Sequence, residues 1–277
     1  MNINSKPIGI FDSGFGGITI LRELLKLMPN ENYIYLGDNK NIPYGDKSKK
    51  EIIKLSSKMA DFLINKNCKI LVIGCNTISA SASEILKEKY NIPIIEVISN
   101  ACAEVNKISK NNISIMATDF TVKSKIYLRK IKENNKEIKI TQIVCKKLCP
   151  MIENDWESFE DRFEVLNNYI KKINPNSDSL LLACTHYPLI IKDIKKVLNE
   201  NKNENRNSIK KIIEPSRTTA LSVKKYLKEN NLFNNNLKNK NRLTIYTTSN
   251  DKNKAENLLN IFLNNEKYKL ERVNLDY

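Results

Sequence analysis

Two cysteines stand in matching surroundings. Ile70-Leu-Val-Ile-Gly74-Cys75-Asn76-Thr77 and Ser179-Leu-Leu-Leu-Ala183-Cys184-Thr185-His186 each run from an apolar, strand-like segment through a small residue to a cysteine, a polar residue and a helix-like stretch. A thiol at a strand end beside a helix N-terminus meets unpaired N–H groups that favour its thiolate, so both cysteines are expected to be usable bases. One such cysteine is ordinary core filler. Two at equivalent places, each near a threonine, call for a chemistry that uses a pair. Asn76, Thr77 and Thr185 add hydroxyls and an amide suited to holding a carboxylate between the thiols.

Three chemistries compete for these residues. A cysteine nucleophile for acyl transfer needs a base and an orienter. His186, the one histidine of the chain, can be the base and Asp12 or Glu153 the orienter, but Cys75 then has no task. Gly14-x-Gly16-Gly17 after the first apolar run suggests nucleotide binding, yet the Gly-x-Gly-x-x-Gly spacing is absent, as is the Gly-Lys-Ser/Thr of a P-loop. Those glycines let the chain turn close to a ligand. Proton transfer at an α-carbon is the third chemistry: one thiol abstracts from one face and the other donates to the opposite face. Only this chemistry needs two equivalent cysteines.

The elements that must position them follow from periodicity. Short apolar runs at Ile8–Phe11, Tyr33–Leu36, Ile70–Ile73, Ile92–Val97, Ile113–Ala117, Ile138–Val144, Leu180–Ala183, Lys211–Ile213 and Leu243–Thr247 read as strands. Between them, apolar residues three and four apart predict helices such as 18–28, 51–64, 83–89, 160–173 and 252–263. The alternation predicts an α/β protein with mostly parallel sheets, in which ligands bind outside the carboxyl ends of strands. Asp12, Cys75, Thr118 and Cys184 all fall there. Ile8-Gly-Ile-Phe-Asp12-Ser13 and Ile113-Ser-Ile-Met-Ala117-Thr118 form a second, looser echo. Two similar domains with the active site in the cleft between them are therefore expected. Residues 1–98 with 211–277 would form the first, carrying Cys75, and residues 99–210 the second, carrying Cys184.

Composition bounds the partners. The 277 residues hold 46 Lys and Arg against 31 Asp and Glu, a net charge of +15. That charge attracts polyanions through counterion release, but the lysines are scattered through helix-like segments, so nucleic-acid binding is expected to be absent or nonspecific. None of the six cysteines shows Cys-x-x-Cys spacing, and Cys145 and Cys149 have no histidine near them in sequence, so free thiols and no metal are expected. No run reaches the roughly 18 apolar residues of a membrane span, and Lys6-Pro7 leads straight into a strand rather than an export signal. A cytoplasmic protein without membrane contact is the expectation.

Taken together, the motifs resemble those of glutamate racemase. They are Gly9-Ile-Phe-Asp12-Ser13-Gly-Phe-Gly-Gly, Leu36-Gly-Asp38, Ile42-Pro43-Tyr44-Gly45, Gly74-Cys75-Asn76-Thr77, Ala117-Thr118-x-x-Thr121-Val122, Cys149-Pro150-Met-Ile-Glu153 and Ala183-Cys184-Thr185-His186-Tyr187-Pro188-Leu189. The resemblance implies cofactor-independent racemization of glutamate, without metal or pyridoxal phosphate, supplying D-glutamate for peptidoglycan. Cys75 and Cys184 would be the two acid/bases, serving the D- and L-enantiomers respectively, with Asp12 near the first and His186 and Glu153 near the second. Ser13, Tyr44 and Gly45, with Pro43 beside them, would hold the side-chain carboxylate, and Asn76, Thr77, Thr118, Thr121 and Thr185 the α-carboxylate and amine. A homodimer is also implied. Aspartate or another acidic amino acid is the alternative substrate, and a protein interacting with DNA or gyrase the non-enzymatic alternative. The chain departs from the family pattern at three places: Asn39 replaces the usual Thr, Glu96 and Ser99-Asn100 replace Gly and Glu-Pro, and Cys145-Lys-Lys-Leu-Cys149-Pro150 replaces Cys-Pro-x-x-Val-Pro.

Overall fold

The computed structural model describes residues 2–203, 209–234, 242–263 and 266–275. The portions of the two expected domains at 1, 204–208, 235–241, 264–265 and 276–277 lie outside the described residues. Among the described residues ten strands alternate with helices: β1 Ile8–Asp12, β2 Tyr33–Gly37, β3 Ile70–Ile73, β4 Ile94–Glu96, β5 Asn112–Ala117, β6 Lys139–Val144, β7 Ser179–Ala183, β8 Lys211–Ile213, β9 Leu243–Thr247 and β10 Lys269–Arg272. They form two sheets, β10-β9-β2-β1-β3-β4 and β6-β5-β7-β8, with every pairing parallel. Apart from β9 and β10, the first sheet has the order 2-1-3-4 and the second 6-5-7-8. Strand for strand this is one arrangement used twice, and it places the Cys75 loop after β3 and the Cys184 loop after β7.

Strands buried on both faces read as unbroken apolar runs, and the period of two sends their side chains into separate layers. Ile8, Ile10, Ile70 and Val72 join Ile113, Ile115, Leu181 and Ala183 in one core between the sheets. Phe11, Leu71 and Ile73 face a layer outside the first sheet, and Met116, Leu180 and Leu182 a layer outside the second. Helices Ile18–Leu27, Val97–Ile108 and Ser216–Glu229 fill the middle layer. The helix Lys49–Asn65 covers the first sheet with Ile52, Leu55, Met59 and Leu63. A capping box starts it: Ser48 Oγ accepts from Glu51 N–H at 3.3 Å and Glu51 accepts from Ser48 N–H at 3.0 Å, satisfying two donors that a helix start otherwise leaves unpaired.

One expected boundary shifts. β8 hydrogen-bonds to β7, with Ser179 opposite Lys211 and Leu181 opposite Ile213, so the second sheet takes in residues placed at the start of the returning segment. The apolar Ile212-Ile213 pair is better satisfied beside the buried β7 than on a connection. After the helix Ser216–Glu229 the chain returns and β9 pairs with β2. Among the described residues no helix is long and apolar enough to cross a membrane.

Candidate active site

The carboxyl ends of the two sheets face one another across a narrow pocket. Its wall brings together Ser13, Pro43, Tyr44, Gly45, Cys75, Asn76, Thr77, Thr118, Cys184, Thr185 and His186. Asp12, Thr121 and Glu153 lie behind that wall and act on it through hydrogen bonds.

On one side Cys75 caps the helix Asn76–Lys89, its Sγ accepting from Ile78 N–H at 3.5 Å and lying 3.4 Å from Ser13 Oγ. Ser13 Oγ donates to Asp12 Oδ1 at 3.0 Å, and the other carboxylate oxygen accepts from Thr185 Oγ1 of the opposite loop at 2.8 Å. The helix terminus does not make Cys75 a ready thiolate, as the local pattern had suggested. Burial, reinforced by the charge of Asp12, pushes its thiol up to about 12. Asp12 is itself raised, first by burial, with His186, Thr185, Gly14 and Ser13 opposing.

On the other side the arrangement differs. Cys184 Sγ lies 3.7 Å from His186 Nδ1, and Cys149 Sγ 3.5 Å from the same nitrogen. Burial opposes charge on Cys184, but hydrogen bonds from Cys149 and His186, together with the imidazolium charge, bring it down to about 6. Cys149 is held well above the ordinary thiol value, first by its hydrogen bond to Cys184 and then by burial. His186 Nε2 hydrogen-bonds to Glu153 Oε1, which also accepts from Phe15 N–H at 2.6 Å, while Glu153 Oε2 accepts from Asn39 Nδ2 at 3.2 Å. Burial works against the imidazolium, yet Cys184 and Glu153 raise His186 well above 6.5. An imidazolium beside a thiolate is the charge state that geometry favours.

The Gly14-Phe15-Gly16-Gly17 turn allows this approach. A Cβ on Gly16 would sit 2.5 Å from His186 Nδ1 and 2.7 Å from Thr185 Oγ1, and one on Gly14 would overlap Glu153 Oε1. What comes close to these glycines is the opposite domain's His186 and Glu153, where the sequence had suggested a ligand.

Asn76, one of the residues lining the pocket, accepts at Oδ1 from Tyr127 Oη at 2.5 Å, which leaves its amide nitrogen a buried donor with no protein partner. Thr77 Oγ1 and Thr118 Oγ1 are 3.0 Å apart, and Thr118 Oγ1 donates to Thr121 Oγ1 at 3.0 Å. These hydroxyls join the Cys75 loop to the second half of the molecule. Tyr44 Oη donates to Asp38 Oδ2 at 2.5 Å, so the hydroxyl braces the wall and leaves the ring and the Gly45 backbone to face the pocket.

Four contributors escaped the residue-type search: Cys149, Asn39, Tyr127 and Asp38. Cys149 and Asn39 do stand where the chain departs from the family pattern, but only folding shows that both meet the His186–Glu153 pair. Cys149 lacked a histidine nearby in sequence, and the second sheet brings one to it from 37 positions away.

Residues 17–204 match the family model described as Asp/Glu/Hydantoin racemase. The chain is 45% identical over 194 residues to a glutamate racemase of Fusobacterium nucleatum, covering 69% of this chain and 74% of that protein. It is 38% identical over 232 residues to glutamate racemase 3 of Caldanaerobacter subterraneus, covering 83% and 82%. The crystal structure of glutamate racemase from Francisella tularensis in complex with D-glutamate superposes with a TM-score of 0.87 at 35% identity, covering 99% of each chain.

Proposed function

The chain belongs to the Asp/Glu/hydantoin racemase family, and on that premise we propose that it interconverts L- and D-glutamate with Cys75 and Cys184 as paired acid and base. The observation that carries this reading is the pocket with one cysteine from each of two equivalent loops in its wall. In the L-to-D direction the Cys184 thiolate takes the α-proton and the Cys75 thiol supplies one to the opposite face. Negative charge that develops at the α-carbon and carboxylate meets fixed donors, chief among them the Asn76 amide, in a site largely closed to water. Afterwards Cys75 is the thiolate and Cys184 the thiol. The resting state is restored when, on product release, Cys184 gives its proton to solvent and Cys75 takes one back, while Ser13, Asp12 and Thr185 tie the Cys75 side to the opposite loop. Glu153 holds His186, and His186 holds the Cys184 thiolate. Ser13, Pro43, Tyr44 and Gly45 receive the side-chain carboxylate, while Asn76, Thr77, Thr118, Thr121 and Thr185 receive or brace the α-carboxylate and amine. D-Glutamate so formed would serve peptidoglycan synthesis, in the cytoplasm and from a homodimer. The net charge of +15 supports no more than nonspecific attraction to nucleic acid.

Circular dichroism of the purified protein with either glutamate enantiomer should show loss of optical activity, and aspartate alongside should turn over poorly. Turnover of aspartate but not glutamate would move the substrate assignment. In deuterated solvent Cys75→Ser should chiefly lose exchange into D-glutamate and Cys184→Ser exchange into L-glutamate. Unchanged racemization in either variant would overturn the two-base reading.

A further inference from the structure

Cys149 takes no proton in the proposed racemization and only hydrogen-bonds to Cys184, yet its thiol shares one ring nitrogen with Cys184. Cys149 Sγ, Cys184 Sγ and His186 Nδ1 lie within 4.8 Å of one another and all three residues are buried. From these positions we propose that the cluster is a preorganised site for a thiophilic divalent cation, zinc in particular, and that the ion and racemization exclude each other.

The distances suit the ion. Tetrahedral zinc with Zn–S of about 2.3 Å and Zn–N of about 2.0–2.1 Å requires sulfur and nitrogen ligands about 3.6 Å apart. The two sulfur-to-Nδ1 separations are 3.5 and 3.7 Å. Independently, Glu153 engages the far nitrogen of His186, itself fixed by Phe15 N–H and Asn39. A carboxylate behind a histidine is the arrangement that orients a metal-binding imidazole and leaves its other nitrogen free to ligate. Two thiolates cancel the charge of a divalent ion, so it enters a buried site with no net charge left unpaired. All three ligands lie in the pocket wall, so the fourth coordination position falls to a water molecule or a substrate carboxylate in the pocket. Binding forms two Zn–S bonds and one Zn–N bond, releases the protons of Cys149 and His186, and changes no oxidation state. Cys184, once ligated, is a much weaker base, because the cation draws on the thiolate charge that would take the proton. The binding stands by itself; its effect on turnover rests on the proposed function.

Cobalt(II) is the spectroscopic probe, added to metal-free protein kept reduced by a thiol-free reductant. The wild type should take up one ion with thiolate-to-cobalt charge transfer in the near ultraviolet and the visible bands of tetrahedral cobalt, both removed by zinc. Cys149→Val and Cys149→Ser should each lose these bands, and Cys145→Ser, whose thiol turns to the Ile143 carbonyl, should keep them. Glu153→Gln should weaken binding by about 10–100-fold, the usual effect of removing the carboxylate behind a ligating histidine. Zinc should inhibit wild-type racemization and lose that effect in the Cys149 variants, each compared with its own zinc-free rate. Absence of the bands from the wild type, or their persistence in both Cys149 variants, overturns the site. Cobalt binding with no racemase activity in metal-free protein leaves the site standing and overturns the proposed function instead.

Discussion

Cys75 and Cys184 occupy equivalent places in the fold but hold their protons differently, and the difference lies in their neighbours. Cys75 sees a carboxylate and a serine hydroxyl, and Cys184 sees an imidazolium and a second thiol. The resting pair therefore carries one proton, on Cys75. In the proposed reaction L-glutamate meets this form directly, while D-glutamate needs the form with the proton moved to Cys184. Both forms have the same total protonation, so both directions must share one pH profile for kcat/KM, as an equilibrium constant of unity between enantiomers also demands. The sign follows from Cys184, lowered to about 6: its base is present above that pH and is lost as the pH falls through it. With chelator present, kcat/KM for either enantiomer should fall on the acid side with an apparent pKa near 6. His186→Asn should move this limb upward towards the ordinary thiol value of 9.0, because the imidazolium no longer opposes protonation. An acid limb near 9 in the wild type, or one that the variant leaves in place, would remove His186 from this role.

At the scale of elements, the Gly14–Gly17 turn decides how closely the two loops meet. Gly16→Ala should push His186 and Thr185, whose atoms lie within 2.7 Å of the added carbon. A misplacement of about 1 Å in such a site costs on the order of 100-fold in rate, so kcat should fall by that order with little change in the urea midpoint. Gly9→Ala in β1 is the contrasting variant. Its Cβ would lie 2.8 Å from Cys68 Sγ in the core, so it should cost about 1–3 kcal/mol of stability through overpacking and leave kcat unchanged. Equal effects of the two on kcat would separate the turn from His186. The apolar strands and the cysteine loops were legible because a strand buried on both faces announces itself in an unbroken run. The helix Asn76–Lys89 begins seven residues before its expected start at 83, because its first turns bury Ser79, Ser81 and Ser83, small polar residues that hide the apolar period. β10, the edge strand Lys-Leu-Glu-Arg, went unread for a related reason: charge on an edge strand protects against unwanted pairing and looks like loop. Glu153 was one of two candidate orienters for His186, and only the resemblance singled it out. Its contacts with Phe15, Asn39 and His186 come from three separate segments, and no local pattern encodes such a meeting.

At the scale of the whole molecule, the two sheets share one middle layer, and the chain crosses from the first to the second and back. The return is fastened at the end of the first sheet opposite the pocket. Lys69, just before β3, places Nζ 2.6 Å from Glu31 Oε2 and donates to the carbonyls of Asn4 and Leu232, each at 2.8 Å. Glu31 Oε1 in turn accepts from Asn234 N–H at 2.8 Å. Four stretches of chain thus meet at one ion pair whose side chains are 0% and 2% exposed. The burial that makes the pair close also makes each charge costly alone, and burial lowers the Lys69 pKa despite the help of Glu31. Lys69→Met should therefore cost about 3–5 kcal/mol, mostly the penalty of leaving Glu31 charged and buried without its cation. The double variant Lys69→Met with Glu31→Gln should recover much of that loss, because no unpaired charge remains. Urea unfolding of the three proteins measures both effects. Racemization by the folded variants should stay at the wild-type rate, since β3 separates this ion pair at its amino end from Cys75 beyond its carboxyl end. A single variant as stable as the wild type would show that the ion pair contributes nothing to fastening the returning chain. A double variant as unstable as the single one would assign the loss to the carbonyls that Lys69 caps, and not to the stranded carboxylate.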